Sequence, residues 1–190
     1  MQFGRRFQDN LKKMFTPKYW EHTTIMVERS TDGGHTWTRT PYLEVEEPTR
    51  LIQPTLWEDG EGVHALLRSD AGVVCRADSP DGRTWSAVSR TELPNNNSGI
   101  DCAALPEDSP DDRSRGRLAL VCNPVGVNRG ARTPLSLLVS ADGGRSWKRE
   151  LDLARGKGEF SYPAVVVSGR ELLITYTWNR RSVAFARVAF

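Results

Sequence analysis

The chain has 190 residues, 38% of them hydrophobic, and 26 Lys and Arg against 24 Asp and Glu leave a net charge of +2. That length buries a substantial core, and so small a charge excludes the strong field of a nucleic-acid or anionic-membrane binder. No apolar run reaches the ~20 residues of a transmembrane helix, and the basic start from Met1 to Phe15 has no apolar leader segment, which makes the cytoplasm the default location.

Residues 1–20 differ from the rest. Phe3, Phe7, Leu11, Met14 and Phe15 recur near helical spacing, with Arg5, Arg6, Lys12 and Lys13 between them. The spacing predicts a short amphipathic helix ended by Thr16-Pro17, docked on a core or, as the sharper alternative, on a partner or membrane. From residue 21 to 190 the chain reads as one β domain. Thr24–Val27 precedes a turn motif, and Pro54–Trp57, Val63–Leu67 and Val73–Arg76 lead into a second copy. Ile100–Leu105, Arg117–Cys122 and Leu135–Val139 lead into a third, and Tyr162–Val167, Leu172–Thr177 and Ser182–Val188 make a last strand set. The charged stretch from Glu107 to Arg115 reads as an exposed hairpin loop. Cys75, Cys102 and Cys122 stand singly in strands, which favours buried free thiols over a disulfide and offers no metal-ligand spacing.

The repeated motif is Ser30-Thr31-Asp32-Gly33-Gly34-His35-Thr36-Trp37, then Ser79-Pro80-Asp81-Gly82-Arg83-Thr84-Trp85, then Ser140-Ala141-Asp142-Gly143-Gly144-Arg145-Ser146-Trp147. Asp and Ser oxygens take up turn N–H groups, Gly supplies positive φ, and Trp offers a large face for burial. The three aspartates stand 49 and 61 residues apart, the length of a propeller blade. The motif therefore implies blade-closing turns at the rim, with each Trp buried and no chemistry of its own.

This unit resembles the Asp-box, or bacterial neuraminidase repeat, and residues 23–190 resemble the sialidase superfamily of six-bladed β-propellers. The resemblance implies an all-β, sialidase-like propeller, incomplete at about three to four blades, in a chain that reads as part of a longer one. It also implies site residues. Arg68 in Ala65-Leu66-Leu67-Arg68-Ser69 precedes the second box, and Arg132 in Arg132-Thr133-Pro134 precedes the third. Tyr162, in Phe160-Ser161-Tyr162-Pro163, follows Arg132 by 30 residues. In that family two such arginines hold the carboxylate of a sialic acid and the tyrosine is the nucleophile. Arginine forks bind carboxylates bidentately, and a neutral phenol avoids the repulsion a carboxylate nucleophile would meet. The phenol needs help to lose its proton, its free pKa being about 10.

The chain departs from the family where the activating glutamate is expected: that position holds Gln53, a substrate contact at most. Glu159, three residues before Tyr162, is the candidate base in its place. The family's acid/base aspartate and first arginine belong to N-terminal blades for which this sequence has no counterpart. Asp101 reads either as a cleft residue or as part of the turn that follows Asn95-Asn96-Asn97. Arg180, in the tip Trp178-Asn179-Arg180-Arg181, reads as a cleft residue or a solvent one. His22, His35 and His64 are isolated, and neither metal nor cofactor is expected. The leading reading is a glycan-acting hydrolase on acidic sugars. A non-catalytic carbohydrate-binding propeller and a lyase that removes a proton beside a uronate carboxylate are the alternatives. The oligomeric state is not legible.

Overall fold

The computed structural model describes residues 24–106 and 116–190. The expected N-terminal helix and the loop from Glu107 to Arg115 lie outside the described residues. Strands β1 (Glu28–Arg29) and β2 (Thr38–Arg39) form a two-stranded sheet. Strands β3 (Leu51–Asp59), β4 (Gly62–Ser69), β5 (Val73–Ser79) and β6 (Ser89–Pro94) make an antiparallel meander. A second meander comprises β7 (Asp101–Ala104), β8 (Leu118–Cys122), β9 (Leu135–Ser140) and β10 (Lys148–Ala154). A third has β11 (Phe160–Ser168), β12 (Glu171–Trp178) and β13 (Ser182–Ala189). The described residues contain no helix, and none of these sheets closes on itself. The all-β expectation holds.

The sheets stack face to face. β8, Leu-Ala-Leu-Val-Cys, is buried at every position, as a strand covered on both faces must be. Leu118, Leu120 and Cys122 point at Trp57, Leu66 and Val74 of the first meander. Ala119 and Val121 point the other way, into a core with Phe160, Val165, Leu172 and Ile174 of the third. A third core joins Leu43, Leu51, Leu67 and Val88 to Ile25 and Val27. At about 25 cal/mol per Å² of apolar surface, these three seams hold the sheets together. The first strand of each meander is the inner one: β7 packs against both β3 and β11.

The outer strands obey another rule. β10, Lys-Arg-Glu-Leu-Asp-Leu-Ala, is exposed along its first half, and its charges blunt an unpaired edge. The boxes join outer strands, and the first and third share one wiring. Ser30 Oγ donates to Asp32 Oδ1 (2.7 Å), and the Thr36 N–H (2.9 Å) and hydroxyl (2.6 Å) donate to the Asp32 carboxylate. Ser140, Asp142 and Ser146 repeat this at 2.7, 2.9 and 2.5 Å. The Thr36 bonds hold the Asp32 carboxyl down to about 2. Burial would raise Asp142, and the bonds from Ser146 and Ser140 override it, again to about 2.

The second box is one residue shorter. Trp37 and Trp147 donate their indole N–H to the Gly34 and Gly144 carbonyls (3.0 and 3.2 Å). The shorter turn has lost that second glycine, and the buried indole N–H of Trp85 has no hydrogen-bond partner among the described residues. One expectation fails. Trp37 is 61% exposed, because its hairpin belongs to a two-stranded sheet over which no described sheet lies. Trp85 and Trp147 pack against core clusters and are half-buried.

Candidate functional site

Two inner strands carry the same irregularity. The ladder of β3 with β4 slips between Ile52 and Pro54, and that of β11 with β12 slips between Ser161 and Ala164. Each slip holds a site candidate in left-handed backbone, Gln53 at φ 50° and Tyr162 at φ 52°. Pro54 and Pro163 are the local cause, since proline has no N–H for the ladder and is tolerated at bulges. Such backbone is strained for any residue with a Cβ and is held by its surroundings. The six described non-glycine residues with positive φ are Gln53, Asn97, Arg129, Tyr162, Asn179 and Arg180. Each lines one cleft or touches a residue that does.

That cleft, of about 670 Å³, lies at the ends of the inner strands. Arg68, on β4 opposite Ile52, donates from Nη1 to Gln53 Oε1 (2.6 Å) and from Nε to Asn97 Oδ1 (2.8 Å). Arg132 precedes β9. Its Nη1 lies 3.0 Å from Glu159 Oε1 and 3.3 Å from Ser161 Oγ, and its guanidinium carbon is 4.9 Å from the centre of the Tyr162 ring. Arg180, on the β12–β13 turn, donates from Nε to both Glu159 oxygens (2.8 and 3.0 Å). Below them runs a buried polar brace. Ser98 Oγ bridges Asn96 and Asn123 at 2.6 and 2.7 Å, and Asn123 Nδ2 donates to the Pro134 and Phe160 carbonyls. Asn96 Nδ2 donates to the Ala131 carbonyl beside Arg132 (2.6 Å). Satisfied buried networks of this kind fix backbone position, here beneath both Arg132 and Tyr162.

The electrostatics are one-sided. Five arginines (Arg50, Arg68, Arg129, Arg132, Arg180) face two carboxylates (Asp70, Glu159), a formal surplus of three positive charges. Polar contact with the Arg132 guanidinium, aided by the charges of Arg132, Arg68 and Arg180, holds the Tyr162 phenol below its ordinary value. Burial draws Arg68 downward, as does the like charge of Arg132. Burial would raise Glu159, but the Arg180 hydrogen bond and the charges of Arg132 and Arg180 keep it low.

Of the candidates read from the sequence, Gln53, Arg68, Arg132, Glu159, Tyr162 and Arg180 come together around this cleft. Glu159 does not meet the phenol: its carboxylate is taken up by Arg132, Ser161 and Arg180. Asp101 is placed elsewhere. Its Oδ1 accepts from the Thr55 hydroxyl (2.8 Å) and its Oδ2 from the Val165 N–H (2.7 Å), a staple across β3, β7 and β11. The turn before it is an Asx turn at Asn95, whose Oδ1 accepts from the Asn97 N–H (2.9 Å). Sequence reasoning passed over Asn97, Arg129 and the Arg50–Asp70 pair (2.6 Å). The run Asn95-Asn96-Asn97 was their nearest signal, since asparagine tolerates left-handed backbone.

Similar proteins supply the family. The BNR repeat-like domain family matches residues 5–174. No curated protein sequence matches the chain. Among solved structures, a protein of unknown function from Dyadobacter fermentans is similar at 21% identity and a TM-score of 0.63, over 82% of this chain and 42% of that one. The NanB sialidase of Streptococcus pneumoniae is similar at 17% and 0.59, over 82% and 24%. Trypanosoma rangeli sialidase in complex with sialic acid is similar at 17% and 0.63, over 86% and 26%. The chain thus spans between about a quarter and two fifths of the length of these three structures. Its antiparallel sheets share their fold, and the chain belongs to the BNR repeat-like domain family.

Proposed function

We propose that the cleft holds a terminal acidic sugar by its carboxylate and that the chain is the sugar-recognising part of a glycan-acting hydrolase, residues 21–190 being its propeller portion. The observation that carries this is the convergence of Arg68 and Arg132 on Tyr162 in a cleft whose charge is positive. Two guanidinium groups grip a carboxylate in fixed geometry. The sugar's anomeric carbon then faces the phenol. Tyr162 gives its proton to solvent water and attacks that carbon. The bond to the leaving oxygen breaks and that oxygen takes a proton from water. A second water later adds to the carbon and releases the tyrosyl oxygen as phenol, the route glycosidases with a tyrosine nucleophile follow. The surrounding arginines ease loss of the phenol proton. Glu159 acts as a positioning residue that aligns Arg132 and Arg180.

Gln53 favours a second reading, a carbohydrate-binding module with little turnover, because a neutral amide whose oxygen accepts from Arg68 cannot take up the phenol proton. A fluorogenic sialoside tests both. We expect measurable binding and slow turnover, the turnover abolished by Tyr162→Phe with binding retained. Binding with no turnover selects the module reading; turnover untouched by Tyr162→Phe contradicts the role of Tyr162. Absence of binding contradicts the assignment of the cleft.

A further inference from the structure

The cleft carries more positive charge than one sugar carboxylate can answer. Arg50 is paired with Asp70 at 2.6 Å, and Arg132 and Arg180 share the single carboxylate of Glu159. Arg68 donates to two neutral amide oxygens. Arg129 is exposed, and its side chain has no hydrogen bond or ion pair among the described residues. Its backbone, by contrast, is firmly held. The Arg129 N–H donates to the Asn96 carbonyl (3.0 Å), its φ is 58°, and the Gly130 N–H closes onto the Val127 carbonyl (2.7 Å). A Cβ at Gly130 would lie 2.8 Å from that carbonyl oxygen, so the turn accepts glycine alone. The preceding Asn128 accepts from Asn97 Nδ2 (3.1 Å), and Asn97 accepts from Arg68. Two hydrogen bonds and one peptide link therefore join the carboxylate-binding Arg68 to Arg129.

Strained backbone that presents an unpaired arginine beside four others costs free energy until an anion arrives. We propose that Arg129 binds a second negative group of the ligand, so that the cleft selects glycans bearing two anions close together. One is the carboxylate on Arg68 and Arg132; the other is a carboxylate or a sulfate ester on the adjoining sugar. The inference rests on the carboxylate reading of Arg68 and Arg132.

Three probes test it by calorimetry on the whole chain: 3′-sialyllactose with one carboxylate, a disialyllactose with two, and a sulfated sialyllactose. We expect at least one dianionic probe to bind about tenfold tighter than 3′-sialyllactose, the scale of one partly exposed charged hydrogen bond. Added salt should shrink that ratio, Arg129→Gln should bring it to about one, and Arg129→Lys should keep part of it. The tighter dianion identifies the second group. Equal binding of the three, or a ratio that survives Arg129→Gln, overturns the second anion site and leaves the carboxylate reading standing. If none of the three binds, both readings fall together.

Discussion

The guanidinium of Arg132 lies over the face of Tyr162, with its central carbon 4.9 Å from the ring centre. This one contact does two things. It seats a cation on an aromatic face, and it stabilises the phenolate whenever the hydroxyl loses its proton. Arg68 and Arg180 act in the same direction. In this cleft three cations lower the phenol, where a carboxylate base was expected beside it.

Arg132→Gln should therefore raise the Tyr162 phenol toward its ordinary value of about 10. The sign follows from charge: the lost cation favoured the ionised form, so its removal makes the proton harder to lose. Ultraviolet titration of the tyrosinate band, taken as the difference between the chain and its Tyr162→Phe variant, reads this directly. A phenol that titrates at the same pH with and without Arg132 would break the link.

Asp101 should matter for stability and not for ligand. Its two oxygens tie Thr55 of β3 and the Val165 N–H of β11 to the start of β7. Asp101→Ala leaves those donors unmet and should cost about 2–3 kcal/mol in urea denaturation, the worth of a charge-assisted bond. The folded protein should keep its affinity for an acidic sugar. A large loss of affinity with unchanged stability would return Asp101 to the cleft.

The boxes should differ in strength although their wiring matches. Trp147→Ala should cost about 3 kcal/mol, the low end for large aromatic truncations, since Trp147 packs on the core between the first two meanders. Trp37, 61% exposed, should cost under about 1 kcal/mol on the same change. Thermal denaturation of the two variants gives the comparison, and equal losses would contradict it.

The sequence disclosed the architecture where local chemistry repeats. Asp-Gly turns with a following Trp announce themselves, and so do the apolar runs of β4, β8, β9 and β12. β6 and β10 were passed over because outer strands such as Lys148–Ala154 are polar for the sake of their edge, which erases the apolar pattern. Arg68, Arg132 and Tyr162 were legible through family spacing. Asn97 and Arg129 were not, because their placement comes from left-handed turns that no periodicity records. A better signal was present in Gln53-Pro54 and Tyr162-Pro163: a proline inside a strand marks a bulge, and both bulges face the cleft. Asp101 misled because an aspartate opening a strand reads alike whether it meets ligand or staples a neighbouring strand. Glu159 misled because three residues along a bulged chain do not fix a direction.

The central claim is that the cleft recognises a carboxylate. Titrating the chain with the methyl glycoside of N-acetylneuraminic acid, and separately with its methyl ester, tests this most directly, because the ester keeps the sugar and removes only the charge. We predict binding of the acid, loss of that binding in the Arg68→Gln and Arg132→Gln variants, and binding of the ester at least about tenfold weaker. Equal affinity for acid and ester, or acid binding indifferent to both arginines, would contradict the account.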